Sequence, residues 1–194
     1  MAFTNFETKE INCKVVYFGP ESAGKTENLR SIYSRTSIEM KSGLMELNEN
    51  ASAGQYFEFL PISLGYVDDF HIKLHLFSLP KVNLFDTVMP VLLKGVDGTV
   101  FVVDSRIESL EANEECLANV EKTFFAEGVK LKDLPMVVQY NKRDLDEIMP
   151  LNLLQSELNL SHAPEQEAIA IDSIGTMETL HQMAKIILKN LASS

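Results

Sequence analysis

The residues best placed to do chemistry lie in one short run. Gly19-Pro20-Glu21-Ser22-Ala23-Gly24-Lys25-Thr26 fits the pattern GxxxxGK[ST]. A loop of this kind wraps the backbone N–H groups of Gly19, Glu21, Ser22, Ala23 and Gly24 around nucleotide phosphates, and the N-terminus of the following helix adds the positive end of its dipole. The Lys25 ammonium reaches the β- and γ-phosphates, and the Thr26 hydroxyl ligates Mg²⁺. Gly24 lets the backbone close on the β-phosphate with no Cβ in the way. A chance match in a chain of 194 residues is expected about once in a hundred. The setting makes chance weaker still, because a β-rich stretch, INCKVVYF from Ile11, precedes the run and a helical pattern, Lys25 to Ser34, follows it.

A second run chooses the base. Asn141-Lys142-Arg143-Asp144 fits NKxD and follows a short apolar stretch, Met136 to Val138. A carboxylate accepts two hydrogen bonds from N1 and the exocyclic amine of guanine, but meets an acceptor on adenine. Asp144 suits that role, Asn141 can brace the loop, and the alkyl stem of Lys142 can cover the ring. The wrong base would leave buried groups unpaired, so such a match discriminates strongly. NKxD alone is weak, because a polar turn after a strand has the same look; it is the pairing with an upstream phosphate loop that carries weight. It argues against a third class, a P-loop phosphotransferase acting on ATP.

These loops need strands and helices to hold them. Apolar runs alternate with helical patterns, which predicts an α/β domain with a mostly parallel sheet flanked by helices. Six strands are expected, at Ile11–Phe18, Gln55–Tyr66, His71–Phe77, Thr99–Val103, Met136–Val138 and Glu167–Ile171. Asp68-Asp69 reads as the turn of a hairpin. Helices are expected near Leu84–Leu93, over Glu108–Phe125, after Pro150, and over Thr176–Leu191, where Leu180, Met183, Ile187 and Leu191 share one face. Residues 35–54 are polar and without period, and read as an exposed loop. The whole span, 1–194, is expected to form one domain.

The composition narrows the function classes. The formal charge of −11 repels phosphate backbones, so nucleic acid is not expected as a partner. Cys13 and Cys116 have no metal-ligand spacing and read as reduced thiols. No apolar run reaches the length of a membrane span. No secretory leader or lipidation box is evident, which leads to the expectation of a cytoplasmic protein. His71 and His75 lie on one face of a strand without a third ligand and read as packed or exposed side chains.

With both runs in place, the chain resembles the Ras superfamily of small GTPases. Ala170-Ile171-Asp172 stands where that superfamily uses a short loop to touch the base, which adds Ala170 and Ile171 to the candidate nucleotide contacts. Within it, FGPESAGKT from Phe18, FEFLP from Phe57, LLKGVDGTVFVVDS from Leu92, VVQYNKRDL from Val137 and METL from Met177 resemble the bacterial mutual gliding-motility protein A (MglA) family over almost the whole chain. The resemblance implies a P-loop NTPase fold, GTP or GDP with Mg²⁺, and a polarity switch for motility. It also implies recruitment to a cell pole, effectors and regulators that dock on loops at about 36–56 and 78–90, and an MglB-type activator.

Several positions depart from that family's pattern. Glu21 stands where glycine is usual, so a Cβ and a charge enter the space of the γ-phosphate and the attacking water. Val82 replaces the water-positioning glutamine, and Lys81 the switch glycine beside it. Ala53-Gly54 falls where an arginine finger and a Mg²⁺-sensing threonine belong; no arginine occurs between Thr36 and Ile72, so the finger is missing under any local shift. Glu58 replaces an aspartate near the metal, and Ser78 matches the family's switch residue. Asp104 ends an apolar strand and reads as structural. The expectation is a guanine-nucleotide binder, formally a GTP hydrolase, with slow or deficient hydrolysis. The alternative is a pseudo-GTPase, an interaction module independent of nucleotide.

Overall fold

The computed structural model describes residues 3–50, 55–79, 92–159 and 161–192. Its strands are β1 (Phe3–Asn5), β2 (Glu10–Phe18), β3 (Met45–Asn50), β4 (Gln55–Val67), β5 (Phe70–Ser78), β6 (Gly98–Asp104), β7 (Met136–Asn141) and β8 (Glu165–Glu167). Its helices are α1 (Lys25–Arg35), α2 (Leu110–Ala126), α3 (Leu151–Leu158) and α4 (Thr176–Ala192). The sheet runs β3-β4-β5-β2-β6-β7-β8, with β1 paired antiparallel on β2. From β5 across to β8 all neighbours are parallel, while β3, β4 and β5 are joined antiparallel.

The central strands are apolar because both their faces are covered. Along β2 the side chains alternate between two cores. Val15 and Tyr17 pack with Leu29 and Ile32 of α1 and Leu180, Met183 and Ile187 of α4. Val16 and Phe18 face the other way, with Val120 and Phe124 of α2 and Leu154 of α3. Every residue of β6 and β7 is buried. Parallel pairing brings the carboxyl ends of β2, β6 and β7 to one edge, where an open α/β sheet places its ligand.

The six-strand expectation undercounts. β1 has no counterpart in it, and β3 occupies part of the segment read as a loop. The β3 sequence, MELNEN, alternates only over Met45–Asn48, too short a run to stand out; it is an edge strand paired to β4, with a bulge between Asn48 and Asn50. The last strand comes earlier than expected, at Glu165–Glu167, and Ala170–Asp172 forms a 3₁₀ turn. The hairpin turn at Asp68-Asp69 is present, with Asp68 at φ 51°. Pro150 stands just before α3 as its N-cap, one place ahead of the first turn. Of the helix expected near Leu84–Leu93, only Leu92 and Leu93 are described, and both are helical. No described helix is long and apolar enough to cross a membrane.

Candidate functional site

The phosphate loop spans the gap between β2 and α1, and two glycines are demanded by close approach. A Cβ on Gly19 would lie 2.1 Å from the Val102 carbonyl oxygen of β6. Gly24, at φ 101°, is the N-cap of α1, and its Cβ would lie 2.2 Å from Asn141 Nδ2. Both rest on hard sterics that no L side chain satisfies. Between them Ser22 adopts φ 61°, which turns the chain over Ala23.

Lys25 reaches back across this loop. Its ammonium donates to the carbonyls of Gly19 at 2.9 Å and Pro20 at 2.7 Å. Burial pushes its pKa down, while the neighbouring Cys116, Glu58 and Glu21 pull it up. Glu21 is exposed and borders a cavity of about 440 Å³ between the loop and α2, together with Arg106 and Cys116. Cys116 is inert as a nucleophile: burial lifts its thiol to about 11, and that of Cys13 to about 12.

Hard oxygen donors gather beside Lys25. Thr26 Oγ1 donates to Glu58 Oε1 at 2.6 Å, Ser78 Oγ donates to Glu58 Oε2, and the Glu58 N–H donates to Ser78 Oγ at 3.2 Å. Two hydroxyls and one carboxylate suit a small hard cation that keeps most of its own waters, so this donor set fits Mg²⁺. Among the described residues no group of three His, Cys, Asp or Glu could hold a metal. His71 and His75 are occupied instead, by Ser63 Oγ at 2.7 Å and Asn12 Oδ1 at 2.8 Å.

The NKxD residues enter from the end of β7. Asn141 is 3% exposed and ties two loops together. Its Nδ2 donates to the Ala23 carbonyl at 2.7 Å, and its Oδ1 accepts from the Ala170 N–H at 2.9 Å. Thus one carboxamide joins the phosphate loop to the Ala170–Asp172 turn. Lys142 sits at φ 66°, and its ammonium is 2.7 Å from Asp104 Oδ2. Asp144 is exposed, with no side-chain partner among the described residues. Ala170 is buried, and Ile171 is 75% exposed at the edge of the site.

Three features of the site lie beyond the sequence reading. Asp104 anchors Lys142: at 1% exposed, it also receives Arg106 Nη2 at 2.8 Å, while Asn113 brackets its backbone N–H and carbonyl. Burial alone would raise the Asp104 carboxyl, but hydrogen bonds from Arg106 and Lys142 outweigh it and hold the pKa below the ordinary value. Behind the phosphate loop, Asn28 and Gln139 exchange amide hydrogen bonds of 2.7 and 2.8 Å, and Gln139 donates to Thr179 at 2.8 Å. Arg35 Nη1 donates to the Ser173 carbonyl, bracing the Ala170–Asp172 turn from α1. The Asp104–Lys142, Asn28–Gln139–Thr179 and Arg35–Ser173 contacts join residues far apart in the chain, so no local pattern signals them. Ala53, Gly54, Lys81 and Val82 lie outside the described residues.

No protein-family model matches the chain. It is 41% identical over 191 residues to the mutual gliding-motility protein MglA of Myxococcus xanthus (strain DK1622), and the match covers 98% of each protein. Likeness at that level over nearly all of both sequences shows the family: the chain belongs to the MglA family of Ras-like small GTPases.

Proposed function

We propose that the chain is one guanine-nucleotide-binding domain, residues 1–194, that acts as a motility and polarity switch and hydrolyses GTP slowly. The observation that carries the binding half is the Asn141 carboxamide, hydrogen-bonded at once to the phosphate loop and to the turn beside the base. With that tie in place, the backbone N–H groups of Gly19 and of Glu21 to Thr26 face the phosphates while Asp144, Lys142, Ala170 and Ile171 face the base. Thr26 would hold Mg²⁺, with the Glu58 carboxylate beside it, and the ion would supply screening of phosphate charge. Lys25 exchanges its loop carbonyls for phosphate oxygens, an exchange of neutral acceptors for charged ones that strengthens its bonds.

The hydrolysis half rests on residue chemistry. Val82 has no donor or acceptor to orient water, Lys81 carries a side chain where the switch needs bare backbone, and Ala53-Gly54 supplies no cation. Glu21 adds a carboxylate to the phosphate side of the site. In this superfamily, the worked case for such chemistry, a catalytic arginine is worth roughly 10³–10⁵ in rate. The loops at about 36–56 and 78–90 then serve as docking surfaces for motility effectors and an MglB-type activator, at a cell pole reached from the cytoplasm.

Calorimetry with GDP and a non-hydrolysable GTP analogue in Mg²⁺, beside single-turnover hydrolysis, tests both halves. Binding of both nucleotides with hydrolysis far below the usual small-GTPase pace supports the reading. Hydrolysis at an ordinary pace, with or without activator, refutes the second half. Absence of binding refutes the first, and leaves a nucleotide-independent interaction module.

A further inference from the structure

A second concave surface lies away from the nucleotide loops. Where α2 ends and the chain turns toward β7 there is a cavity of about 420 Å³. Its lining segment, Lys130 to Lys132, leads into β7, which starts at Met136 and reaches the candidate site only at Asn141. The cavity therefore sits at the opposite end of the sheet, and it shares no residue with the phosphate loop, the NKxD run or the Ala170–Asp172 turn.

Its floor is apolar. Leu131 is buried in the core under α2, and Val129 packs against the same core. The wall is Phe125, 73% exposed. The buried stripe of α2 runs through Cys116, Val120 and Phe124, so the next residue is rotated off that stripe by one helical step and faces solvent. A large aromatic beside an apolar hollow is the anatomy of a binding anchor.

The rim is cationic in a chain that is otherwise acidic. Lys and Arg number 17 against 28 Asp and Glu, yet Lys122, Lys130 and Lys132 all border this cavity, with Glu121 the one carboxylate in its lining. Elsewhere Lys9, Lys73, Arg106, Lys142 and Arg143 are paired with carboxylates. Among the described residues, the side chains of Lys122, Lys130 and Lys132 have no such partner. Cations left unneutralised around an exposed aromatic ask for a ligand with complementary charge and one apolar group.

We propose that this cavity docks an acidic peptide segment of a partner protein, with one bulky apolar side chain entering beside Phe125 and flanking carboxylates meeting Lys122, Lys130 and Lys132. A flat anionic bilayer fits less well, since it cannot follow a concave floor and repels the net negative charge of the whole chain. Occupancy is independent of nucleotide, because the site lies at the far end of the sheet.

The test uses the full chain, ¹⁵N-labelled and titrated with an acetylated hexapeptide, Asp-Glu-Leu-Phe-Glu-Asp, with a control in which lysine replaces each acid. The expected result is amide shifts confined to Phe125, Val129 and the Lys130–Lys132 segment. Affinity falls about tenfold between low salt and 0.3 M, as for contacts between exposed charges. K130E/K132E and F125S each weaken binding by about tenfold or more, and neither moves the melting temperature, since the altered side chains are exposed. The shifts are the same with and without GDP, so failure of the nucleotide reading leaves this outcome intact. The proposal is overturned by shifts elsewhere or none, by equal binding of the lysine control, or by capture on phosphatidylserine vesicles through the same lysines while the peptide stays inert. Self-association abolished by K130E/K132E, again with the peptide inert, also overturns it and assigns the surface to a second copy of the chain.

Discussion

Gly24→Ala and Asn141→Ala, singly and together, test whether the two loops of the site form one mechanical unit. A Cβ on Gly24 meets Asn141 Nδ2 at 2.2 Å. The carboxamide cannot step aside freely, because it is held by the Ala23 carbonyl at 2.7 Å and the Ala170 N–H at 2.9 Å. Gly24→Ala therefore carries backbone strain of about 1–2 kcal/mol at its positive φ, and disrupts one or two buried hydrogen bonds at about 1–3 kcal/mol. Asn141→Ala alone orphans one buried acceptor and one buried donor, about 2–4 kcal/mol once some water enters the space left by the carboxamide. In the double variant the new Cβ fills part of that vacated space, so the clash is gone and only strain remains to be added. The coupling is then favourable by about 1–3 kcal/mol. At about 2–4 °C per kcal/mol for a chain this size, the double variant melts about 2–12 °C above the sum of the single losses. Urea unfolding of all four proteins without added nucleotide, followed by circular dichroism, reads the cycle directly. Additivity within about 0.5 kcal/mol would refute the reasoning, since it would mean that Asn141 yields to the added methyl at no cost.

Three further outcomes are expected. Glu21→Gly raises the single-turnover hydrolysis rate by about tenfold or more: a charge pair at ~5 Å in an effective dielectric of ~20 is worth about 3 kcal/mol before Lys25 and Mg²⁺ offset it. An unchanged rate would clear Glu21 of any part in the slowness. Asp144→Asn moves preference from guanine toward xanthine nucleotides by about 10²-fold or more, because an amide donor matches the xanthine carbonyl where the carboxylate matched the guanine amine; competition binding checks it, and a retained guanine preference refutes the base assignment. Asp104→Asn lowers stability at neutral pH, and its deficit shrinks in acid. The folded Asp104 carboxyl has a depressed pKa, so its contribution is present above its unfolded value of about 3.9 and is lost as pH falls through the folded one. Urea midpoints from about pH 7 to 2 follow this, and a deficit constant with pH counts against the pairing of Asp104 with Arg106 and Lys142.

The parts legible in the sequence are those whose cause is local. The phosphate loop declares itself because hard sterics require glycine at two fixed places, and the approach of Gly19 to Val102 and of Gly24 to Asn141 is the physical form of that requirement. The strands β6 and β7 are legible because burial on both faces leaves unbroken apolar runs. Edge strand β3 is not, since backbone pairing to β4 defines it and its sequence alternates over only four residues. β8 is three residues long, and its position is misread because the apolar Ala168-Ile169-Ala170-Ile171 stretch looks more strand-like than Glu165-Gln166-Glu167. The Asp104–Lys142 pair follows from the parallel register that sets Asp104 opposite Asn141, and the Asn28–Gln139–Thr179 chain links three elements. Both depend on tertiary pairing that composition and spacing do not encode.

Binding and hydrolysis, in the reading proposed, draw on different stretches of chain, and that separation makes slow hydrolysis with retained binding physically coherent. The binding residues sit at the carboxyl ends of β2 and β7 and just past β8, cross-tied by Asn141 and backed by Gln139, Asn28 and Thr179. A change at Asn141, Gln139, Asn28 or Thr179 orphans buried polar groups and costs stability as well as affinity. The other positions that depart from the family pattern, Ala53, Gly54, Lys81 and Val82, fall in the sequence between Asn50 and Gln55 and after Ser78, outside the stretches that carry these ties. In the proposed reading, a change at a position that touches only the transition state slows hydrolysis and leaves ground-state binding in place. Glu21 is the exception, for it stands inside the phosphate loop and is the one altered residue able to disturb both properties. The two effects separate in one comparison, the GTP dissociation rate against the hydrolysis rate, measured in the natural chain and in the Glu21→Gly variant. If dissociation outruns hydrolysis in the natural chain, the switch is reset by exchange, and Glu21→Gly narrows the gap from both sides. If hydrolysis is already the faster, the altered positions do not limit the cycle and the argument from their chemistry fails.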